Sequence, residues 1–256
     1  MGEANRRKAY PSDLTDQQWA AIESLFTGMR TYKWSKRELT NAVLYFVDSG
    51  CKWRQLPHDF PPYSTVHSFY RRAKISGLWE KILQHLVKVT RENAGRKAEP
   101  TYAIIDSQSV KTVGPSEERG IDGGKTKGRK RHIVVDVMGN LLAVVVHAAN
   151  IHDTKSGILA AKPACKQYPS IKRFCADAGY RGTFVRETQE KLKLSVDISE
   201  KIKPHQWEKL PWRWVVERTL GWLNHSRRLS KDYEITTSSA VSIIIISHLH
   251  TLLKRL

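Results

Sequence analysis

The chain has 256 residues, of which 40% are hydrophobic and 27% are charged, a composition typical of globular proteins and unlike that of disordered or fibrous chains. Its 43 Lys and Arg residues outnumber the 25 Asp and Glu residues, which gives a formal net charge of +18. Such a charge attracts polyanions, and nucleic acids are the commonest polyanions in cells. The longest apolar stretch, residues 241–253, is too short and too polar to span a bilayer, and no secretory signal is evident. We therefore expect a cytoplasmic protein that binds nucleic acid and no membrane.

Residues 1–92 predict a small, all-helical N-terminal region. Thr15 and Gln18 form a capping box ahead of apolar residues at helical spacing. Further along, a short basic and aromatic helix carries Arg71 and Arg72. Short helices with polar turns and one basic helix favour a helix-turn-helix-like DNA-binding region, in which these two arginines contact DNA. A plain helical bundle whose arginines face solvent is the alternative interpretation.

After a polar linker at residues 92–100, the pattern changes from helical to mixed. Residues 131–137 and 141–147 form two strand-like runs around a Gly-Asn turn, which predicts a β-hairpin. Strands and helices alternate through the rest of the chain. Residues 100–256 therefore predict an α/β domain with a mixed five-stranded sheet flanked by helices.

Residues 114–130 predict a long, polar, glycine-rich loop. Five basic residues lie in it and directly after it: Lys125, Lys127, Arg129, Lys130 and Arg131. A flexible backbone with basic side chains suits contact with DNA phosphates. A solvated mobile loop without such a role is the alternative.

Two acids follow short apolar runs that predict strands. Asp106 comes after Ala-Ile-Ile, and Asp177 comes after Phe-Cys-Ala. Ligands bind at the carboxyl ends of strands in open α/β sheets, and adjacent strands would bring both side chains together. Clustered carboxylates repel one another unless a cation is present, and Mg²⁺ prefers oxygen ligands. The sequence therefore predicts a magnesium site.

A third acid, Glu217, lies on a helix predicted over residues 211–228. Arg213, Glu217, Asn224 and Arg228 fall on one side of this helix. Glu217 is therefore presented between basic and amide neighbours. A purely structural ion pair between Arg213 and Glu217 is the alternative interpretation.

Three stretches of the sequence resemble the motif regions of one enzyme family. Asp106 lies in AIIDSQSVKT, Asp177 in FCADAGYRG and Glu217 in RWVVERTLGWLNHSRRLSKDYE. These stretches are similar to the motif regions of DDE transposases of small bacterial insertion sequences, and the separations of 71 and 40 residues suit that family. The resemblance covers essentially the whole chain. It implies a ribonuclease-H-like fold for the catalytic domain at residues 100–256.

The resemblance also implies a chemistry and its partners. Asp106, Asp177 and Glu217 would be catalytic residues that hold two Mg²⁺ ions, for which Mn²⁺ would substitute. Asp106 would bridge both ions, and Asp177 and Glu217 would each hold one, so that the ions activate the attacking oxygen and stabilise the leaving oxygen. The reaction would cleave DNA strands at element ends and join the freed 3′-OH to target DNA. The partners would be double-stranded DNA, with terminal inverted repeats and target, and a second copy of the chain in a homodimer.

The family signature around the third acid is only partly present. Arg213 and the glutamate match it, whereas Leu210 and Asn224 stand at its Tyr and Lys positions. Arg227 and Arg228, one helical turn further on, could take over the phosphate contact of the missing lysine. Together with Arg213 they are candidates for bidentate phosphate binding.

Other residues allow competing interpretations. Asp153 can cap a helix, or it can form a metal-binding pair with His152. For the tryptophans at positions 212, 214 and 222, a place in the protein core is favoured over a platform for DNA bases.

Two other functions share parts of this evidence. A ribonuclease-H-like nuclease that cuts without joining would use the same acids, but it would not need a basic helical region of about 90 residues. A transposase-derived DNA-binding protein without catalysis is disfavoured because all three acids are intact.

Overall fold

The computed structural model describes residues 7–199 and 212–256, and their elements follow the predicted order. The N-terminal helices are α1 (Asp16–Ala20), α2 (Lys36–Ser49), α3 (Tyr63–Ile75) and α4 (Leu78–Asn93). The remaining elements are β1 (Tyr102–Lys111), β2 (Gly120–Ile121), β3 (Lys127–Asp136), β4 (Leu141–Ala148), α5 (Asp153–Gln167), β5 (Arg173–Asp177), α6 (Thr183–Glu187), β6 (Ser195–Ser199), α7 (Arg213–Leu223) and α8 (Thr237–Leu253). None of the helices in these ranges is long and apolar enough to cross a membrane.

The five longer strands form a mixed sheet in the order β4–β3–β1–β5–β6. β1, β5 and β6 are parallel, whereas β3 is antiparallel to both β1 and β4. Ala103, Ile104 and Ile105 are all buried, as expected for a central strand covered on both faces. This sheet with its flanking helices is consistent with a ribonuclease-H-like fold, which confirms the predicted fold class.

Helices cover the two faces of the sheet from opposite sides. Because side chains alternate along a strand, the side chains of neighbouring β3 residues lie on opposite faces of the sheet, and their contacts show which helix covers each face. Lys130 and His132 contact Asp153 at the start of α5, whereas Arg129 and Arg131 contact the segment that follows α7. α5 therefore packs on one face, and α7 packs on the other, against β1 and β3.

The strand limits differ from the prediction in three respects. β1 does not end at Asp106 but continues to Lys111, and β3 begins at Lys127, so the predicted loop at residues 114–130 is shorter than expected. β2 adds a sixth strand by pairing with the start of β3. These extensions are polar and lack the apolar alternation that identifies a strand in a sequence. Main-chain pairing with a neighbour forms them instead, including Val110 with Arg129.

Capping residues mark where two of the N-terminal helices begin, whereas α1 ends at Ala20, before the last apolar residues that its sequence pattern places on it. Thr15 forms the expected capping box with Gln18, and Ser35 caps α2. Gly50 ends α2 with φ +71°, and a Cβ at this position would approach Arg227 to 3.1 Å. Glycine is therefore needed here for both its conformation and its size.

The N-terminal region packs tightly on the rest of the chain. α2 and α4 contact α8, and the buried apolar side chains of both regions form one continuous core. The division into a DNA-binding region at residues 1–92 and a catalytic domain at residues 100–256 stays a prediction, as does the helix-turn-helix-like role of the first.

Candidate active site

Asp106 and Asp177 lie at the same level of two adjacent parallel strands. In the pairing of β1 with β5, Tyr102 is opposite Arg173 and Ile104 is opposite Cys175. Two further residues along each strand lead to Asp106 and Asp177, and side chains an even number of positions apart share a face. The separation of 71 residues between the two acids therefore equals the register offset of the strands, which brings the acids together.

The Asp106 carboxyl group is half-buried and lies near the charges of two other acids. Its pKa is raised to about 7, chiefly by burial and also by the charges of Asp177 and Glu217. The Ser107 backbone N–H, which donates to Asp106 Oδ1 at 2.7 Å, and the charge of Arg213 act in the opposite direction. Asp177 and Glu217 are thus close enough to Asp106 to influence its ionisation.

Glu217 approaches the aspartates from α7, which packs on β1 and β5. Its side chain is 52% exposed and pairs with Arg213 at 2.9 Å. An exposed pair of this spacing contributes only about 0.3–0.5 kcal/mol, so either side chain is free to change partners. The ion pair anticipated from the sequence is present, and it leaves Glu217 available for other contacts.

The carboxylates are near one another but do not enclose a single point. Across residues 7–199 and 212–256, no three His, Cys, Asp or Glu side chains are arranged to hold a metal ion. Mg²⁺ needs only one or two protein carboxylates, because waters and substrate phosphates complete its shell. Two aspartates at one level, with an exposed glutamate on the adjacent helix, offer carboxylate oxygens that fit such an ion.

Some of the residues predicted to contact DNA are exposed, whereas others are partly or fully buried. Arg71 and Arg72 on α3, Lys125 in the loop, Lys127 at the start of β3, and Arg227 are exposed. These five side chains are accessible to a phosphate backbone, and their DNA contacts stay predictions.

Arg228 is only partly accessible. It pairs with Glu234 at 2.7 Å, donates to the Cys51 carbonyl at 3.1 Å and stacks over Phe46. These contacts link the segment after α7 to the N-terminal helices. They engage the Arg228 guanidinium group inside the protein, so this residue is less available than Arg227 for the predicted phosphate contact.

The prediction that Arg129 lies on a DNA-contacting loop is wrong. It belongs to β3 and is fully buried. Its guanidinium group donates to the carbonyl oxygens of Glu117, Glu234 and Ile235 at 2.6–2.9 Å and lies 3.3 Å from the Asp232 carboxylate. Five donors in a planar fork suit such clamping of loop carbonyls. A side chain engaged in this way is not free to bind phosphate.

Arg131 and Lys130 are also internal, which corrects the same prediction for them. Arg131 is 1% exposed and donates to the carbonyl oxygens of Leu229 and Lys231 at 2.9 and 3.3 Å. Lys130 is buried and pairs with Asp153 at 2.9 Å. A run of basic residues looks the same in a sequence whether its partners are phosphates or buried protein oxygens.

Asp153 does not cap α5 as the sequence suggests. His152 occupies the N-cap position and accepts from the Thr154 N–H, whereas Asp153 is the first helical residue. Burial alone would raise the pKa of Asp153, but hydrogen bonds from His132 and Lys130 outweigh it and hold this pKa well below its usual range. The alternative of a metal-binding pair with His152 gains no support, since Lys130 already neutralises the carboxylate.

The tryptophans near Glu217 lie at the surface rather than in the core. Trp212 and Trp214 are 38% and 54% exposed. Arg218 stacks on both Trp214 and Trp222, with its guanidinium carbon 4.5 Å from each ring centroid. The preference for a core role is therefore wrong for Trp212 and Trp214. Of the departures from the family signature, Asn224 is exposed, and Leu210 lies outside the described residues.

Comparison with known proteins identifies the family. The model "Transposase DDE domain" matches residues 97–252, and the model "Putative transposase of IS4/5 family (DUF4096)" matches residues 14–83. The chain is 32% identical over 116 residues to "Putative transposase for insertion sequence element IS402" of Burkholderia cepacia, a match covering 42% of this chain and 54% of that protein. It is 24% identical over 118 residues to "Insertion element IS402 uncharacterized 16.2 kDa protein" of the same organism, covering 42% of this chain and 78% of that protein.

The match to the IS402 transposase spans about half of that protein's length. The match to the DDE domain extends over more than half of this chain and includes Asp106, Asp177 and Glu217. This chain therefore belongs to the DDE transposases of IS4/5-type insertion sequences.

Proposed function

We propose that this chain binds the ends of an insertion sequence, cleaves DNA strands there and joins the freed 3′-OH to target DNA. The observation that carries the proposal is the register of β1 and β5, which brings Asp106 level with Asp177 beside α7. Membership of the transposase family supports transposition as the process, and the net charge of +18 supports DNA as the partner.

The acids are proposed to hold divalent cations, with Mg²⁺ as the physiological ion and Mn²⁺ as its substitute. When bound, such ions activate an attacking oxygen and stabilise the leaving oxygen of a phosphodiester. Asp106 is the best candidate for a ligand shared by two ions, because it lies close enough to both Asp177 and Glu217 for their charges to act on it. Burial and, to a smaller extent, repulsion from these two acids raise the Asp106 pKa, and a cation would offset the repulsion.

Side chains around the acids are proposed to position the DNA. Arg213 would leave Glu217 as that carboxylate turns toward the aspartates, and its planar guanidinium group would then bind a phosphate. Exposed Lys125, Lys127 and Arg227 would contact the backbone nearby. Arg71 and Arg72 would contact the element end. Because transposition handles two ends at once, we propose that two copies of the chain act together on DNA.

The test is a strand-transfer assay with Mg²⁺ or Mn²⁺. The substrate is a labelled duplex carrying the DNA that flanks this reading frame, and the target is a supercoiled plasmid. Asp177→Ala should abolish both cleavage and joining while leaving DNA binding in place. Asp197→Asn is the matched control, because Asp197 lies on the adjacent strand β6 and pairs with Arg173 and Tyr102 instead.

The outcomes separate the candidate functions. Cleavage with joining supports the transposase, and cleavage without joining supports the nuclease. Binding without either reaction supports a DNA-binding protein that lacks catalysis. If Asp177→Ala joins strands as well as the unaltered protein does, the assignment of the acids is wrong.

A further inference from the structure

A polar cluster lies on the α5 face of the sheet, opposite the face that carries Asp106. Its centre is Asp153, whose Oδ1 accepts hydrogen bonds from Ser107 Oγ and Lys130 Nζ, both at 2.9 Å. His132 Nε2 lies 3.3 Å from the same oxygen. The cluster therefore joins three elements, β1, β3 and α5, at one carboxylate.

The register of β1 and β3 holds the partners of Asp153 in place. Ser107 is directly opposite His132, so both side chains leave the sheet on the same face. Lys130 Nζ also donates to the Ile151 carbonyl at 3.1 Å, and His132 Nδ1 lies 2.8 Å from His147 Nε2. Lys130 and His132 thus each have a further contact that restricts the movement of the side chain.

Ser107 connects this cluster to the candidate active site. Its hydroxyl donates to Asp153 on one face, while its backbone N–H donates to Asp106 Oδ1 at 2.7 Å on the other. Fixing the hydroxyl fixes the orientation of this peptide unit, and the peptide unit in turn restrains the Asp106 carboxylate. The restraint is needed because β1 runs through Asp106 without ending there, and the Ser107 N–H is the hydrogen-bond donor that contacts this carboxylate within the described part of the chain.

We propose that Ser107 and Asp153 are positioning residues that hold the Asp106 carboxylate in the orientation required for a divalent cation. The proposal rests on the metal-binding role assigned to Asp106 above. Asp153 does not bind the cation itself, because it lies on the opposite face and is neutralised by Lys130. Hydrogen-bonding groups behind a metal ligand commonly change metal affinity by about 10- to 100-fold when they are removed.

The test measures Mn²⁺ binding to the full chain by electron paramagnetic resonance, with no DNA present. Ser107→Ala removes the hydroxyl and leaves the Asp153–Lys130 pair intact, so folding should be preserved. We expect it to weaken Mn²⁺ binding about 10-fold or more, and Ser107→Thr, which keeps a hydroxyl, should restore most of the affinity. Ser109→Ala is the matched control, since Ser109 lies two residues further along the same face of β1. Asp153→Asn, checked for folding by circular dichroism, should weaken binding in the same way.

Asp106→Asn separates failure of this proposal from failure of the metal assignment. If Asp106→Asn loses Mn²⁺ binding while Ser107→Ala retains the affinity of the unaltered protein, the positioning role is wrong and the metal site stands. If Asp106→Asn binds Mn²⁺ unchanged, the metal assignment is wrong and the positioning role falls with it. A loss in Ser107→Ala that Ser107→Thr does not reverse would point to a packing effect and would also overturn the proposal.

Discussion

Arg91, near the end of α4, donates a hydrogen bond to the buried carboxylate of Asp136 at the end of β3. Their side chains are 7% and 0% exposed. Asp136 also accepts from the backbone N–H groups of Met138 and Asn140, so one carboxylate organises the β3–β4 turn and anchors the last N-terminal helix to it. The contact links the predicted DNA-binding region directly to the central sheet.

Arg91→Met should lower the free energy of unfolding by about 3–5 kcal/mol, because it leaves the Asp136 charge buried without its partner. Urea denaturation followed by tryptophan fluorescence measures the change. Lys88→Met is the control: Lys88 belongs to the same helix, but its pair with Glu99 is 49% and 42% exposed and should contribute at most about 1 kcal/mol. Equal effects of the two substitutions would contradict the role of the buried pair.

Arg129→Met should destabilise the fold by a similar amount, about 3–5 kcal/mol, because Asp232 loses its buried counter-charge and three loop carbonyls lose their donor. Limited proteolysis should then cut between residues 112 and 126 faster than in the unaltered protein. Lys127→Met, two residues away and exposed, should change stability by no more than about 0.5 kcal/mol. Unchanged proteolysis in Arg129→Met would show that the clamp does not hold this segment.

DNA binding should depend on α3 more than on the acids. Arg71→Ala and Arg72→Ala should each weaken binding to element-end DNA and reduce the salt slope by about 1, since each removes a phosphate contact. Asp106→Ala should have a smaller effect. Fluorescence anisotropy across a series of salt concentrations measures this, with exposed Lys81→Ala on α4 as the control. Equal affinity of the Arg71 and Arg72 variants and the unaltered protein would remove the recognition role of this helix.

The raised pKa of Asp106 predicts how stability depends on pH. Its folded-state value of about 7 exceeds the ordinary value of 3.8, so between these values the folded protein retains a proton that the unfolded chain has lost. The free energy of unfolding contributed by this group therefore falls as pH rises from about 4 to about 7. Asp106→Asn removes the dependence, and its Tm should match the unaltered protein near pH 4 and exceed it near pH 8.

Differential scanning calorimetry in EDTA at both pH values measures this prediction. The unaltered protein should regain stability at pH 8 when Mg²⁺ is added, because a cation replaces the lost proton in offsetting the negative charge. A Tm difference between the two proteins that is independent of pH would show that Asp106 does not carry the proton.

The sequence by itself determined the helices, the hairpin and the three acids. Capping residues such as Thr15 and Ser35 bind backbone groups within three residues, so the helix starts can be predicted from a short stretch of sequence. The motifs around Asp106, Asp177 and Glu217 are likewise local, and their resemblance to DDE transposases is confirmed by the family matches. The 71-residue separation of the aspartates could be counted from the sequence. That it equals the register offset between β1 and β5 could not be predicted from the sequence.

Only the tertiary structure decided which polar residues face solvent and which face the interior. The basic run after Lys125 reads as a phosphate-binding loop, yet Arg129 clamps carbonyl groups more than 100 residues away. Asp153 reads as a helix cap, yet its partner Ser107 is 46 residues away on another strand. A local pattern records the preference of the backbone for helix or strand, whereas the partner of a buried charge depends on strand register and helix packing. Those are set by contacts between distant segments, which no window of sequence contains.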